Sequence, residues 1–148
     1  MQRFDSIKRT YVLTTNEGHL TFSPQVENIV KIRISALKYT LASANNKYIH
    51  LDLEEYNSSY ITDSTVGFND AKCFCIIPVN FTINSDVTYL NSDYLSWDTS
   101  FLEPQKINFL HYRIFMNGAM LNPVEISSSN PVMLTIEFML GKPDKNFR

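Results

Sequence analysis

A two-residue hydrophobic alternation recurs from one end of this chain to the other, and no helical period of any length competes with it. It is cleanest near the C-terminus, where Val132, Leu134, Ile136, Phe138 and Leu140 are apolar and Thr135 and Glu137 stand between them. Successive side chains on a strand point to opposite faces, so this segment buries one face and wets much of the other. Several such segments imply an antiparallel β domain with a two-sheet or barrel core.

The remaining segments follow in order. Thr10 to Thr14 reads as a strand. Asn16-Glu17-Gly18 and His19 to Phe22 read as the turn and second arm of a hairpin, with Gly18 supplying positive φ. From Asn28 to about Leu41, Val30, Ile32 and Ile34 face one way, and Lys31, Arg33 and Ser35 face the other, wet side. The apolar set then moves to Leu37, Tyr39 and Leu41, a phase change that a β-bulge or a sheet-switching bend produces. Ser43 to Asn46 is a turn. Lys47 to Tyr56 is a strand with Ile49, Leu51 and Leu53 inward, and Tyr48, His50, Asp52 and Glu54 outward. Asn57 to Asp70 reads as a long polar loop.

Lys72 to Pro78 is apolar on both faces, with Cys73, Cys75 and Ile77 opposite Phe74 and Ile76. Val79, Phe81 and Ile83 suggest a short edge strand, and Asp86 to Leu90 another strand. Asn91 to Pro104 has no clear period, and Trp97, Phe101 and Leu102 are expected to pin it to the body. Ile107 to Met116 sets Leu110, Tyr112, Ile114 and Met116 against Phe109, His111, Arg113 and Phe115. Asn117-Gly118 is a strong hairpin signal, with a short return strand from Ala119 to Leu121. The total is about seven to nine unevenly spaced strands, with long loops and no internal repeat. That favours a Greek-key sandwich or jelly roll over a propeller or up-and-down barrel.

At 148 residues the chain is read as a single domain, residues 1–148, with its core from about 10 to 140 and short polar ends. A hydrophobic share of 44% suits a folded domain that needs no disulfide or metal. The net charge is −2 and basic residues are dispersed, so no nucleic-acid footprint is expected. No window approaches a membrane span. The first residues lack the apolar stretch of a secretory signal, which points to synthesis in a cytoplasm. Cys73 and Cys75, at i and i+2, lie about 6.5–7 Å apart on a strand, near the upper limit for a disulfide, and read as a reduced pair. Asn57-Ser58-Ser59 and Asn80-Phe81-Thr82 match the glycosylation sequon, which has no meaning without secretion.

Candidate chemistry is thin. His50 and His111 lie on the more polar faces of two strands and would hold a metal only if those strands brought them together; His19 is the third histidine. Asp52, Glu54, Glu55 and Asp63 cluster in sequence, but a solvated face explains them better than a carboxylate pair for glycoside hydrolysis. Tyr48, Tyr56, Tyr60 and Trp97 are candidates for a carbohydrate platform. No nucleophile elbow, phosphate loop or dinucleotide fingerprint is present. The expectation is a non-enzyme without cofactor, metal or small-molecule substrate. The apolar residues on second faces, namely Phe74, Ile76, Phe109, Phe115, Met133 and Met139, are expected to form either a subunit interface or a surface under the chain's own loops.

The order of segments resembles a known family. Ile29-Val30-Lys31-Ile32-Arg33-Ile34 is followed by Tyr48-Ile49-His50-Leu51-Asp52-Leu53-Glu54-Glu55-Tyr56, a Ser/Asn-rich loop, Phe74-Cys75-Ile76-Ile77-Pro78, the run Ile107 to Gly118 and Leu134-Thr135-Ile136-Glu137-Phe138. This is similar to the single jelly-roll penton and minor capsid proteins of virophages, polinton-like viruses and large double-stranded DNA viruses, over about Thr10 to Leu140. The resemblance implies an all-β, antiparallel two-sheet sandwich in the single jelly-roll arrangement. It also implies a virion protein made in the infected host cell's cytoplasm, whose partners are itself, as a homopentamer, and other capsid proteins. Pentons of this kind often carry an outer domain for which this chain has no length, which leaves a bare vertex plug or another minor position. Cyclic closure would need two different patches per subunit, expected around Asn57–Asp70, Asn91–Pro104 and the termini. The alternative is a non-catalytic β-sandwich module that binds carbohydrate or protein.

Overall fold

The computed structural model describes residues 5–40, 48–57, 59–63, 68–78, 86–91, 93, 96–116, 119–120 and 126–141. These residues form ten strands and no helix: β1 (Asp5–Leu13), β2 (Glu17–Thr40), β3 (Tyr48–Leu53), β4 (Ser59–Asp63), β5 (Phe68–Cys73), β6 (Cys75–Pro78), β7 (Asp86–Leu90), β8 (Thr99–Met116), β9 (Ala119–Met120) and β10 (Val132–Leu140). Eight of them make one continuous antiparallel sheet that curls into a half-barrel, in the order β1-β10-β2-β8-β3-β6, with β7 beside β2 and β9 beside β8. β4 and β5 pair with each other.

The curl comes from two long strands that each serve two neighbourhoods. Glu17–Thr21 of β2 pairs with Phe109–Arg113 of β8, whereas Ile29–Lys38 pairs with Met133–Leu140 of β10. Between them the ladder to β8 breaks repeatedly, and Asn28 takes the left-handed conformation at φ 60°, which Asn tolerates better than most residues. The second half of β8 also pairs with β3, Leu53 to Ile49 against Tyr112 to Met116. The Thr99–Ser100 end of β8 instead lies beside Ile32 and Lys31.

Bulges explain where the apolar phase moves. The β2–β10 register slips at Thr135/Ile136, so that Ser35 is the extra residue between Ile34 and Ala36. Ile32 and Ile34 before it and Leu37 and Tyr39 after it are therefore all buried. A second slip, between Leu140↔Ile29 and Met139↔Lys31, puts Ile29 rather than Val30 in the core. The core is one cluster on the concave side. Phe22 of β2 packs edge-on against Phe138 of β10 with centroids 5.3 Å apart, and against Tyr11 of β1 at 5.7 Å.

Several expectations change. β1 does not form a hairpin with β2; it pairs along its whole length with β10, from Asp5↔Leu140 to Leu13↔Val132. The long apolar run of β10 rewards that pairing, and the short link at residues 14–16 is held by β8, where the Ile114 amide donates to the Asn16 carbonyl. The stretch 57–70 is not all loop, because it carries β4 and the start of β5, and Thr99–Pro104 belongs to β8. Lys72–Pro78 is not one strand. A bend at Phe74 divides it, and Cys73, Phe74 and Cys75 are all buried. Asp86–Leu90 is β7 as expected, and β9 returns on β8 with Ala119 opposite Met116. The expected features at Ser43–Asn46, Val79–Ile83, Asn117-Gly118 and the polar ends lie outside the described residues.

Gly18 is required for space and not for a turn. It sits inside β2 opposite Tyr112, and a Cβ there would come within 3.1 Å of Tyr112 Cε1 and Oη. The ring has little room to retreat, since its hydroxyl donates to the Thr15 carbonyl at 3.2 Å and lies 3.0 Å from Thr15 Oγ1. Gly18→Ala should therefore cost about 1–3 kcal/mol through overpacking, more than the roughly 0.4–1 kcal/mol gained by stiffening the unfolded chain. A lowered urea midpoint, partly recovered when Tyr112→Phe frees the ring, is the expected result.

Candidate functional site

The outer face of β3, β8 and the start of β2 gathers most of the titratable groups singled out in the sequence. Cross-strand register builds it. Asp52 lies opposite Arg113, and Arg113 in turn lies opposite Glu17 on the other side. Asp52 is buried and meets Arg113 Nη2 at 2.6 Å; its other oxygen accepts from the Asn57 amide, whose carbonyl oxygen takes the Leu53 N–H at 2.9 Å. Next along β8, His111 Nδ1 contacts Glu54, and Nε2 lies 3.7 Å from Glu17 Oε1. The His111 ring stacks on His19 with centroids 4.8 Å apart and planes at 16°, and His19 leans on Phe109 at 5.9 Å. At the far end His50 stacks on Phe115 at 4.5 Å and on Tyr48 at 6.1 Å.

The environments of the two strand histidines differ in sign. The hydrogen bond to Glu54, and then its charge, hold the His111 imidazole above its ordinary value, while the same bond holds the Glu54 carboxyl below the ordinary carboxylate range. Burial pushes His50 down, against a smaller opposing pull from Asp52. The His111–Glu54 contact is thus supported over a window. Its His111 contribution is complete below about pH 6.5 and is lost as pH rises through the raised imidazole value. Its Glu54 contribution is lost only as pH falls through the lowered carboxyl value. Glu54→Gln should return the His111 titration midpoint, followed by NMR, toward about 6.5, while Glu17 keeps part of the shift. An unmoved midpoint would contradict the pairing.

This face is a ladder of neutralised pairs and stacked rings. His50 and His111 are not brought together, since their places along β8 are four residues, roughly 13 Å, apart. His19 joins His111 instead, which the sequence could not reveal because only the β2–β8 register sets them side by side. Asp52 pairs with Arg113 and Glu54 bonds His111, so neither carboxylate is without a partner. Among the described residues, no three metal-binding side chains converge. Asp63 and Tyr60 have side chains outside the described set. The other aromatic candidates do not form one platform: Tyr48 stacks on His50, Tyr56 meets Phe101 edge-on at 5.5 Å, and Trp97 lies 4.2 Å over the Arg33 guanidinium. Both cysteines are free and buried, and burial raises the Cys73 thiol to about 11, so neither is a ready nucleophile.

The apolar candidates divide. Ile76, Phe109 and Phe115 do lie on the outer face of β6 and β8, with Phe109 half exposed and Phe115 half-buried. Met133 and Met139 lie on the outer face of β10. Phe74 is withdrawn from the surface. The bend that joins its N–H to the Leu51 carbonyl at 2.8 Å leaves its ring wholly in the core. Arg33 is not on a wet face either. It is buried beneath Trp97, bonded to Glu137 and to the Asp93 and Ser96 carbonyls. Trp97 does meet the body, by covering Arg33. Leu102, expected to pin the same stretch to the body, is instead fully exposed, while Phe101 packs against the core. Exposed Val12 and Leu90 were missed, because single apolar residues in weak strands carry no periodic signal.

No protein-family model matches the chain, and no curated protein matches it.

Proposed function

We propose that this chain is a non-catalytic structural subunit of an icosahedral virus shell, a single jelly roll that occupies a penton or minor capsid position. The observation that carries the reading is the order of strand pairing. Counting β2 as two strands on either side of its bend, and setting aside the two-residue β9, the main sheet contains eight successive strands. A jelly roll is a long hairpin of eight strands rolled on itself, so first pairs with eighth, second with seventh, third with sixth and fourth with fifth. Here β1 pairs with β10, the first half of β2 with β8, its second half with β7, and β3 with β6. Rolling adds contacts of third with eighth and fourth with seventh, which correspond to β2 with β10 and β3 with β8.

The second support is chemical. On the outer face His111 bonds Glu54, Asp52 meets Arg113 and His50 stacks on rings, and exposed apolar side chains lie on the outer faces of β8 and β10. That suits a subunit whose surfaces contact other proteins. The resemblance to penton and minor capsid proteins agrees with both. The test is to purify particles from infected cells that make the chain and examine them by mass spectrometry and cryo-electron microscopy. The chain should be present and fit density at the vertices or between major capsomers. Its absence from pure, complete particles would contradict the reading.

A further inference from the structure

We infer that Asp98 is a proton-operated latch: the lead-in to β8, Ser96–Asp98, holds to β2 more firmly when the Asp98 carboxyl carries a proton than when it is ionised. The lead-in lies where two neighbours of β2 meet. Asn91, just after β7, donates its N–H to the Ser35 carbonyl at 2.9 Å, and Asp98, just before β8, donates its N–H to the Ile32 carbonyl at 3.1 Å. Ile34 falls between these two points, beside the bulge at Ser35. Its N–H finds an acceptor in Asp98 Oδ2, 2.8 Å away. Asp98 therefore grips β2 twice, once through its backbone and once through its carboxyl. Trp97 beside it lies 4.2 Å over the Arg33 guanidinium, which donates to the Ser96 carbonyl at 3.2 Å. The latch and the buried Arg33–Glu137 pair are thus one structure, and the guanidinium loses its cover when the lead-in lifts.

The surroundings of the carboxyl set the direction. Asp98 is half-buried, and desolvation is the largest influence on it, holding it above the ordinary carboxylate range. The Ile34 N–H and the Arg33 charge pull the other way without cancelling it. Arg33 gives its Nε bond, at 2.8 Å, to Glu137 of β10, so one cation is shared between two carboxylates. Also facing Asp98 are Tyr89 of β7, Cys75 of β6 and Cys73 of β5, each of which feels its charge. Burial holds all three above their ordinary values, so they stay neutral in acid and bring no counter-charge. With the lead-in open, the Asp98 carboxyl is solvated and titrates near about 3.9. With it closed the carboxyl titrates higher, so closing takes up a proton. The added hold is complete below the ordinary value and is lost as pH rises through the raised one.

The test is amide hydrogen exchange on the full chain, followed by NMR and corrected for the intrinsic pH dependence of exchange. Protection of the Ile34 and Asp98 amides should rise severalfold between about pH 7 and about pH 4.5. Fluorescence from Trp97, the single tryptophan, should change over the same range. Asp98→Asn keeps an oxygen for the Ile34 N–H and has no proton to take up, so its protection should be flat across that range. Protection that is flat or falls on acidification in the parent, or that rises equally in Asp98→Asn, would overturn the inference. If Asp98→Asn does not fold, the parent decides alone. Carbon-detected NMR should place the Asp98 carboxyl midpoint above its value in the urea-unfolded chain, and a midpoint at or below that value would overturn the inference as well.

Discussion

Glu137→Ala is expected to destabilise the fold by about 3–5 kcal/mol, the cost of stranding a buried charge. Glu137 and Arg33 are opposite one another on β10 and β2, 2.8 Å apart, with side chains only 7% and 5% exposed. The guanidinium is held by more than that bond. It donates to the Asp93 and Ser96 carbonyls and lies under Trp97. Removing the carboxylate takes away the counter-charge bonded to the guanidinium and leaves it neutral carbonyl acceptors and the less direct charge of Asp98. Glu137→Gln keeps an acceptor and should cost less. Replacing both partners by apolar residues, Arg33→Met with Glu137→Leu, should recover most of the loss, since a buried pair contributes little beyond satisfying itself. Guanidinium midpoints with unchanged slopes are the measurement. A loss below about 1 kcal/mol for Glu137→Ala would show that water reaches Arg33.

Phe138→Ala should cost a similar amount, about 3–5 kcal/mol, by a different route. Its ring is fully buried on the concave face of β10, edge-on to Phe22, which in turn meets Tyr11. Those contacts join β10 and β1 to the first half of β2, on opposite sides of the bend. A cavity there loses both transfer energy and packing between the two halves of the curl. The matched control is Phe109→Ala, the same chemistry at a half-exposed position, expected within about 0.5 kcal/mol of the parent. Equal losses at the two positions would mean that the halves are not packed as described.

The inward face of nearly every strand was legible because burial repeats with period two. Leu110, Tyr112, Ile114 and Met116 are buried as their alternation requires, as are Ile49, Leu51 and Leu53. The bulge near Ser35 was legible as a phase change, since a one-residue insertion moves the apolar set to the other parity. Partnership was not legible. Alternation fixes which face of β1 is buried but not that β10, more than a hundred residues away, covers its edge. The outer face was misread for the same reason. Arg33, His50 and Asp52 alternate like wet residues, yet they are buried by a returning segment, by stacked rings and by an ion pair. Phe74 was misread because a bend interrupts its strand, and after a bend parity no longer predicts direction.

The proposed role makes one demand that a single measurement meets. A vertex subunit must close a ring of five copies from a 17.1 kDa chain. Native mass spectrometry or multi-angle light scattering across a wide concentration range should give a species of five times that mass at high concentration. A mass of one chain throughout, with the fold intact by circular dichroism, would contradict the vertex position.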